Sequence, residues 1–164
     1  MLVRRSRQFL NLKKTNQRLN KTDIESTTRR WLQTIVIDLN LCPFANREFL
    51  KNRIRFSVTE ADTAEQLLFD LHAEMQALLQ DDLIETSLLI HPNVLQDFYE
   101  YNDFLEYADG LLQQTGLEGI FQIASFHPQY QFAGTAPDDV ENYTNRSPYP
   151  ILHILREASL DLAI

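Results

Sequence analysis

The sequence predicts an α/β domain with a small, mainly parallel three-stranded sheet packed with helices, and two observations carry this prediction. Segments of helical periodicity alternate with short segments of strand character, which is typical of layered α/β folds with parallel strands. The chain has 164 residues, which suits one domain, and 44% of them are apolar, enough to bury a core. The alternative is a ferredoxin-like α+β fold with a mixed sheet, because short strands could lie within residues 128–145.

The first three elements follow from the periodicity of apolar side chains. A helix is predicted over residues 24–41, with an N-cap at Thr22 and an end before Pro43, because the residue before a proline avoids helical backbone. Alternating apolar residues then predict a strand over residues 53–59. An apolar stripe at helical spacing predicts the second helix over residues 63–80.

The rest of the domain continues this alternation. We predict a strand, a long helix, a third strand, a long loop and a final helix over residues 85–91, 93–115, 120–126, 127–147 and 148–163. Gly116 stands just past the end of the long helix, where a C-cap glycine belongs. Ser147 can cap the final helix, and Pro148 suits its first position, where a missing N–H costs nothing.

Charge divides the chain into a basic N-terminal arm, residues 1–21, and a single domain, residues 22–164. The formal net charge is −8, but residues 1–30 carry nine Lys and Arg against two acids, whereas residues 31–164 carry six against 21. An acidic domain repels a phosphate backbone, so we expect it not to bind nucleic acid. No apolar run approaches the roughly 20 residues that a membrane span needs, so we expect no membrane insertion.

The arm is expected to be flexible, and its composition leaves two further roles open. It has no Asp or Glu and seven Lys or Arg, which is the composition of an organelle transit peptide. It could also contact nucleic acid or the acidic domain itself. Cys42 is the only cysteine, which excludes an internal disulfide and fits a reducing compartment. We therefore predict a cytoplasmic protein, or a protein of a plastid or other organelle if residues 1–21 are a transit peptide.

Polar residues follow each of the three predicted strands. Glu60 comes after the first strand, His91 after the second and His127 after the third, and each histidine precedes a proline. In an open α/β sheet, ligands bind outside the carboxyl ends of parallel strands, which share one edge. We expect these three residues at one edge, with a functional role for His127. For His91, a plain strand-ending turn is the alternative.

Residues 127–157 gather the unusual side chains of the domain. After Arg55 the only Lys or Arg side chains are Arg146 and Arg156, against 19 acids over residues 56–164. Arg146 precedes the predicted final helix, whose free N–H groups favour an anion, and Arg156 could supply a second, bidentate clamp. Pairing of the two arginines with nearby carboxylates is an equally weighted alternative.

The final helix, at 100° per residue, would direct one face to the core and place the polar candidates on the other. The core face carries Ile151, Leu155, Ala158 and Leu162, and the opposite side carries Tyr149, His153, Arg156 and Glu157. An ordinary solvated helix face gives the same pattern.

Two function classes fit these residues, and whether the protein is an enzyme stays open. The first is binding of, or action on, a small anionic molecule, with Arg146, Arg156, Tyr149, Ser147 and His91 as ligand-binding candidates. His127 or His153 would be the general acid or base, and Glu157 or one of Asp138 and Asp139 would orient the imidazole. The second is a non-catalytic interaction module that presents the aromatic loop of residues 128–149 to a protein partner.

Other chemistry finds weaker support in the sequence. Cys42 is an outside candidate for a nucleophile, although a cysteine before a proline at a helix end is more often a small buried hydrophobe. The cysteine and the histidines lack the short spacings of metal sites, so we predict no metal. None of the four glycines forms a phosphate-binding loop, so we predict no cofactor of the kinds that such loops bind.

Several blocks of the sequence resemble one family over about residues 26–163. They are LNLCPFA, ETSLLIHP, DFYEYNDFLEYAD and ASFHPQYQFAGTAPDDVENYTNRSPYPILHILREAS. In these blocks the chain is similar to the family catalogued as domain of unknown function 1415. The resemblance implies a soluble bacterial or plastid-type protein, and it implies no activity. The basic arm lies outside it.

Overall fold

The computed structural model describes residues 20–42 and 45–163, which form a four-stranded sheet with helices on both faces. The first helix, α1, covers residues 20–31 and continues as a π-helical segment, Leu32–Ile37. The other helices are α2 Ala45–Leu50, α3 Ala64–Gln80, α4 Phe98–Gln114 and α5 Glu157–Ala163, with a 3₁₀ segment at Val140–Asn145. The strands are β1 Ile54–Val58, β2 Thr86–Ile90, β3 Phe121–Phe126 and β4 Ile151–Arg156.

The sheet is mixed, so the predicted three-stranded sheet is wrong and the mixed sheet of the alternative is found. The strand order is β1-β2-β4-β3. β1 and β2 are parallel, whereas β4 pairs antiparallel with both β2 and β3. The three predicted strands therefore do run in one direction, and the unpredicted strand β4 lies between two of them.

β4 occupies the segment that was predicted to be the final helix. Its side chains alternate between two buried faces: Leu152 and Ile154 point to one side of the sheet and Ile151, His153 and Leu155 to the other. A strand that is buried on both faces reads as a nearly continuous apolar run. Such a run also satisfies helical spacing, and periodicity alone does not separate the two. Only the last part of the predicted helix, α5, is helical.

The two faces of the sheet carry separate apolar clusters. α3 and α4 cover the first face, and Leu67, Leu71, Met75 and Tyr101 are almost completely buried there. α1, its π-helical continuation and α2 cover the second face, which buries Trp31 and other residues against β1, β2 and β4. The sheet separates the two clusters, so only candidate site residues on the same face can lie together.

Helix ends confirm some predicted signals and correct others. Gly116 follows α4 with a φ of 71°, as predicted. Thr63, which was predicted to lie inside the second helix, is its N-cap and accepts a hydrogen bond from the Gln66 N–H. Thr22 lies inside α1 and is not its N-cap, because residue 20 is already helical. α2 was not predicted. Residues 1–19 of the predicted arm lie outside the described residues, and within the described ranges no helix could span a bilayer.

Candidate functional site

The carboxyl ends of β1, β2 and β3 lie at one edge of the sheet, as predicted. Ile151, the first residue of β4, is paired with the last residue of β2, Ile90, and with the last residue of β3, Phe126. His91 and His127 follow directly, so the two histidines flank the start of β4. The carboxyl end of β1 lies beside that of β2, because Val58 is paired with Ile90.

Tyr101 joins the two histidines into a buried group that we call the edge cluster: His91, Tyr101 and His127. All three are nearly inaccessible to solvent. The Tyr101 ring stacks on His91, with 5.8 Å between ring centroids, and packs at 5.0 Å from His127. Its hydroxyl donates to the carbonyl of Ile151 at 2.7 Å and accepts from the N–H of Phe126 at 3.0 Å. Tyr101 therefore ties α4 to β3 and β4.

Hydrogen bonds assign a neutral form to His127, and burial favours the neutral form of His91. The Nδ1–H of His91 donates to the Val94 carbonyl at 3.0 Å, its Nε2 is buried without a partner, and burial lowers its pKa to about 4. Nδ1 of His127 accepts from the Gln129 N–H, so its Nε2–H donates to the Leu95 carbonyl, both at 3.0 Å. Burial also lowers the pKa of His127. Both nitrogens of His127 are thus engaged by backbone, and an acid–base role would require one bond to open.

Arg146 braces the loop that follows β3, and no helix begins beside it. Its Nε donates to the Tyr130 carbonyl at 3.1 Å, its Nη2 donates to the Pro137 carbonyl at 2.6 Å, and its guanidinium lies over the Tyr143 ring at 4.5 Å. Ser147 is buried and donates to the Tyr149 carbonyl at 2.5 Å. The predicted anion site at a helix N-terminus is therefore wrong, because the chain enters a strand here.

Arg156 and Glu157 lie at the far end of β4. The Arg156 guanidinium donates to the carbonyls of Leu78, Asp81 and Ile84, at and just after the C-terminus of α3. Glu157 begins α5. A strand rises about 3.3 Å per residue, so the six residues of β4 place Arg156 and Glu157 at least about 15 Å from the edge cluster. The predicted pairing of the two arginines on one anion is wrong, since Arg156 binds backbone carbonyls at the opposite edge.

His153 lies on the other face of the sheet from His127, and not on a solvated helix face. The Thr86 hydroxyl donates to the Ile154 carbonyl at 2.5 Å, so it accepts from the Nε2–H of His153 at 2.7 Å. Burial lowers the pKa of His153 to about 4. Its ring lines a cavity of about 200 Å³ that Cys42 also lines. Cys42 and His153 thus line one cavity, and neither belongs to the edge cluster. Tyr149 is half-buried and packs on this face.

The loop of residues 127–149 is held by an internal hydrogen-bond network around Asn142. The Asn142 side chain is completely buried. It accepts from the Phe132 N–H at 2.8 Å and from the Thr135 hydroxyl at 2.9 Å, and it donates to the Ala136 carbonyl at 2.8 Å. Asn145 ties the loop to the Ser125 carbonyl at 3.0 Å. The loop is therefore preorganised, as recognition loops on rigid scaffolds are.

A cleft of about 330 Å³ lies between this loop and the start of α4, and we call it the loop–α4 cleft. Its lining includes Arg146 and two acids, Asp97 and Asp138, together with Phe98, Tyr99, Pro128, Gln129, Gln131 and Pro137. Among the described residues the Arg146 guanidinium has no carboxylate within 4.0 Å. One cation and two acids therefore face the same cleft without an ion pair between them.

Sequence reasoning missed Asp97, Tyr101 and Asn142. Asp97 had a usable signal, because an Asp followed three residues later by Glu100 is a helix-start pattern. In the structure its carboxylate accepts from the Tyr99 and Glu100 N–H groups. Tyr101 and Asn142 had no such signal, since tertiary contacts define their roles. Within the described ranges, no three His, Cys, Asp or Glu side chains gather in a way that could hold a metal ion.

Comparison with known proteins places the chain in one family. A family model described as protein of unknown function (DUF1415) matches residues 23–164, which include every element of the sheet, the edge cluster and the loop–α4 cleft. No curated protein and no solved structure matches the chain. The match covers far more than half of the sequence, so the chain belongs to the DUF1415 family.

Proposed function

We propose that this protein binds a small molecule with an anionic group in the loop–α4 cleft and that Arg146 holds this group. The observation that carries the proposal is the charge of Arg146, which no described carboxylate neutralises although the side chain lines a cleft in an acidic domain. A guanidinium is always charged and offers its donors in a fixed plane, which suits a carboxylate or phosphate.

The guanidinium is preorganised for such a ligand. Two of its nitrogens, Nε and Nη2, are held by loop carbonyls, and the Tyr143 ring supports one of its faces. Nη1 donates to none of the described residues and is therefore available to a ligand oxygen. A side chain that is already ordered loses little conformational entropy on binding, which raises affinity.

The two acidic side chains of the cleft restrict the charges that a ligand can carry. Asp138 forms no hydrogen bond through its side chain with the described residues, and one oxygen of Asp97 caps α4 while the other faces no described donor. A purely anionic ligand would meet repulsion from these carboxylates. A molecule with a cationic group beside its carboxylate or phosphate would meet complementary charges at both ends.

We propose binding and not catalysis for this cleft. The neighbouring imidazole, His127, donates and accepts hydrogen bonds with backbone groups and is kept neutral by burial. A general acid or base must be able to reach the reacting proton, and this ring has no free nitrogen with which to do so.

Replacement of Arg146 tests the binding proposal. We expect wild-type protein to bind at least one member of a panel of free amino acids, phosphoserine, citrate and inorganic phosphate, measured by thermal shift and then by titration calorimetry. Arg146→Gln should weaken that binding by about tenfold or more, the loss of at least 1.4 kcal/mol. Arg30→Gln, at an exposed position on α1, is the matched control and should bind as wild type does.

Two results would contradict the proposal. One is the same affinity of wild type and folded Arg146→Gln for every ligand that binds. The other is the same loss in both arginine variants, which would indicate a general charge effect and not a site.

A protein-interaction role is the second candidate, because apolar side chains are exposed on the same loop while the histidines point inward. Val140 is 81% exposed, Tyr143 54% and Phe132 37%. Exposed aromatic and aliphatic side chains on an ordered loop are typical of recognition surfaces.

The interaction role predicts a partner whose capture depends on the loop. We expect chemical crosslinking in cells to yield one specific conjugate with wild type that disappears in Val140→Ser/Tyr143→Ser. The control is Leu83→Ser, which removes an apolar side chain of similar exposure, 79%, between α3 and β2. An unchanged conjugate in the loop variant would exclude this surface.

A further inference from the structure

We propose that the basic N-terminal segment of this chain, residues 1–19, binds to its own domain in an acidic groove beside the carboxyl end of β1. We call this the β1–α3 groove. It has a volume of about 480 Å³ and is lined by residues of β1, of α3 and of the start of α1. It shares no lining residue with the loop–α4 cleft.

The β1–α3 groove is acidic. The acids that line it are Glu60, Asp70 and Glu74, and Lys21 is the only Lys or Arg among the described residues that line it. The Asp70 carboxylate accepts from the Thr59 hydroxyl and from the side-chain amide of Gln66. Within the described ranges no Lys or Arg nitrogen lies within 4.0 Å of it. The charge of Asp70 is therefore not compensated by an ion pair.

Glu74 adds a second carboxylate to the groove, although the residue is only 5% exposed. Its Oε1 accepts from Arg55 at 2.5 Å and from the Ser87 hydroxyl at 2.6 Å. Its Oε2 accepts no hydrogen bond from the part of the chain that the structure describes. A carboxylate oxygen in a mostly buried residue gains from a donor, so a cationic side chain in the groove would be stabilised by both acids.

The described chain begins beside this groove. α1 starts at Asn20, which lines an adjoining cavity of about 250 Å³, and Lys21 and Glu60 line both this cavity and the groove. Lys21 already forms an ion pair with Glu60 at 3.2 Å. Extended backbone covers at most about 3.6 Å per residue, so Lys13 lies no more than roughly 30 Å from Lys21. The cations that precede α1 are therefore tethered within reach of the groove.

The composition of the segment is complementary to the groove. Residues 1–21 carry seven Lys and Arg and no acid, and Lys21 is the last of the seven, so six lie within residues 1–19. The segment also contains Phe9 and Leu10, and Phe69, next to Asp70 on α3, is 68% exposed. A short covalent tether gives an effective concentration on the order of millimolar, so several individually weak ion pairs are enough to hold the segment.

Carbodiimide cross-linking of the full chain tests where the segment binds. The reagent joins an amine to a carboxylate that it contacts. We expect amide bonds between Lys13 or Lys14 and Glu60 or Asp70, identified by mass spectrometry of the monomer fraction. Because ion pairs at a protein surface are screened by salt, the yield of these cross-links should fall as the salt concentration is raised.

Trypsin cleavage within the segment measures how firmly it is bound, because a bound segment is protected. Glu60→Gln/Asp70→Asn removes two charges from the groove and should speed cleavage after Lys14 about fivefold. Asp103→Asn/Glu106→Gln is the matched control. It removes two charges from the exposed side of α4 and should leave the cleavage rate as in wild type.

Three results would overturn the proposal. The first is cross-links that spread over the carboxylates of the domain without preference for the groove. The second is the same cleavage rate in both double variants. The third is cross-linked dimers in place of cross-linked monomers, with a yield that rises with protein concentration, because the segment of a second copy would then occupy the groove. The cross-linking of wild type stands even if the groove variant does not fold, and none of these results depends on Arg146.

Discussion

Lowering the pH from about 7 to about 5 is expected to reduce the free energy of unfolding by about 4 kcal/mol, because two buried histidines must stay neutral in the folded chain. His91 and His153 each have a pKa of about 4 in the fold, against 6.5 for an unperturbed histidine. Each therefore contributes about 2 kcal/mol to the difference between these two pH values. His127, whose pKa is also lowered by burial, acts in the same direction.

The sign follows from proton binding. Between the lowered pKa and the ordinary value, the unfolded chain binds more protons than the folded chain does, so stability increases with pH. The contribution of the two histidines is fully present above about pH 7 and is lost progressively as the pH falls toward about 4. The comparison stops at about pH 5 because carboxyl groups in general begin to titrate below that value.

Urea unfolding at the two pH values measures this loss, and single replacements assign it. His153→Gln should remove about half of the pH dependence. His72→Gln should leave it intact, because the His72 ring lies on α3 and only meets Gln76 one turn later, at 3.3 Å. A free energy of unfolding that does not change between the two pH values would show that these rings bind protons in the fold as readily as in the unfolded chain.

Tyr101→Phe is expected to lower the free energy of unfolding by about 3 kcal/mol, although the substitution removes a single oxygen atom. That oxygen accepts from the Phe126 N–H and donates to the Ile151 carbonyl, and Tyr101 is completely buried. Phenylalanine leaves both backbone groups buried without this partner, and each unpaired group costs about 1–3 kcal/mol. The aromatic packing with the two histidines is retained.

Tyr107→Phe is the matched control on the same helix. Its ring is 68% exposed, so loss of the hydroxyl should change stability by less than about 0.5 kcal/mol. The urea concentrations at the midpoints of unfolding compare the stability of the two variants, provided that the free energy of unfolding falls with urea at the same slope in both. Equal stability of both variants would mean that water or a shifted backbone replaces the Tyr101 hydroxyl. The edge cluster would then not be the joint between α4 and the sheet.

Local sequence patterns predicted most of the elements, including β2, which is buried at all five of its residues. The predicted strands over residues 53–59, 85–91 and 120–126 each lie within one residue of β1, β2 and β3 at either end. α3 covers Ala64–Gln80 against the predicted residues 63–80, and α4 ends before Gly116. In these elements the apolar pattern and the end signals agree.

The same reasoning failed at β4, and this failure misplaced several site candidates. The run from Ile151 to Arg156 fits helical spacing as well as it fits a strand buried on both faces. Reading it as a helix placed His153 and Arg156 side by side and gave Arg146 a helix N-terminus. In the strand, His153 and Arg156 point to opposite faces of the sheet. Arg146 precedes the start of the strand, and Arg156 is its last residue.

By itself, the sequence determined the alternation of helices and strands, the family and the convergence of His91 and His127 at one edge. That convergence follows from the alternation of strands and helices, because parallel strands have their carboxyl ends at the same edge of the sheet. Tertiary structure alone decided that Tyr101 joins those histidines, that Arg146 lines a cleft and that Cys42 shares a cavity with His153. The Tyr101 hydroxyl forms hydrogen bonds with residues that lie 25 and 50 positions away along the chain. Local periodicity contains no information about partners at such distances in sequence.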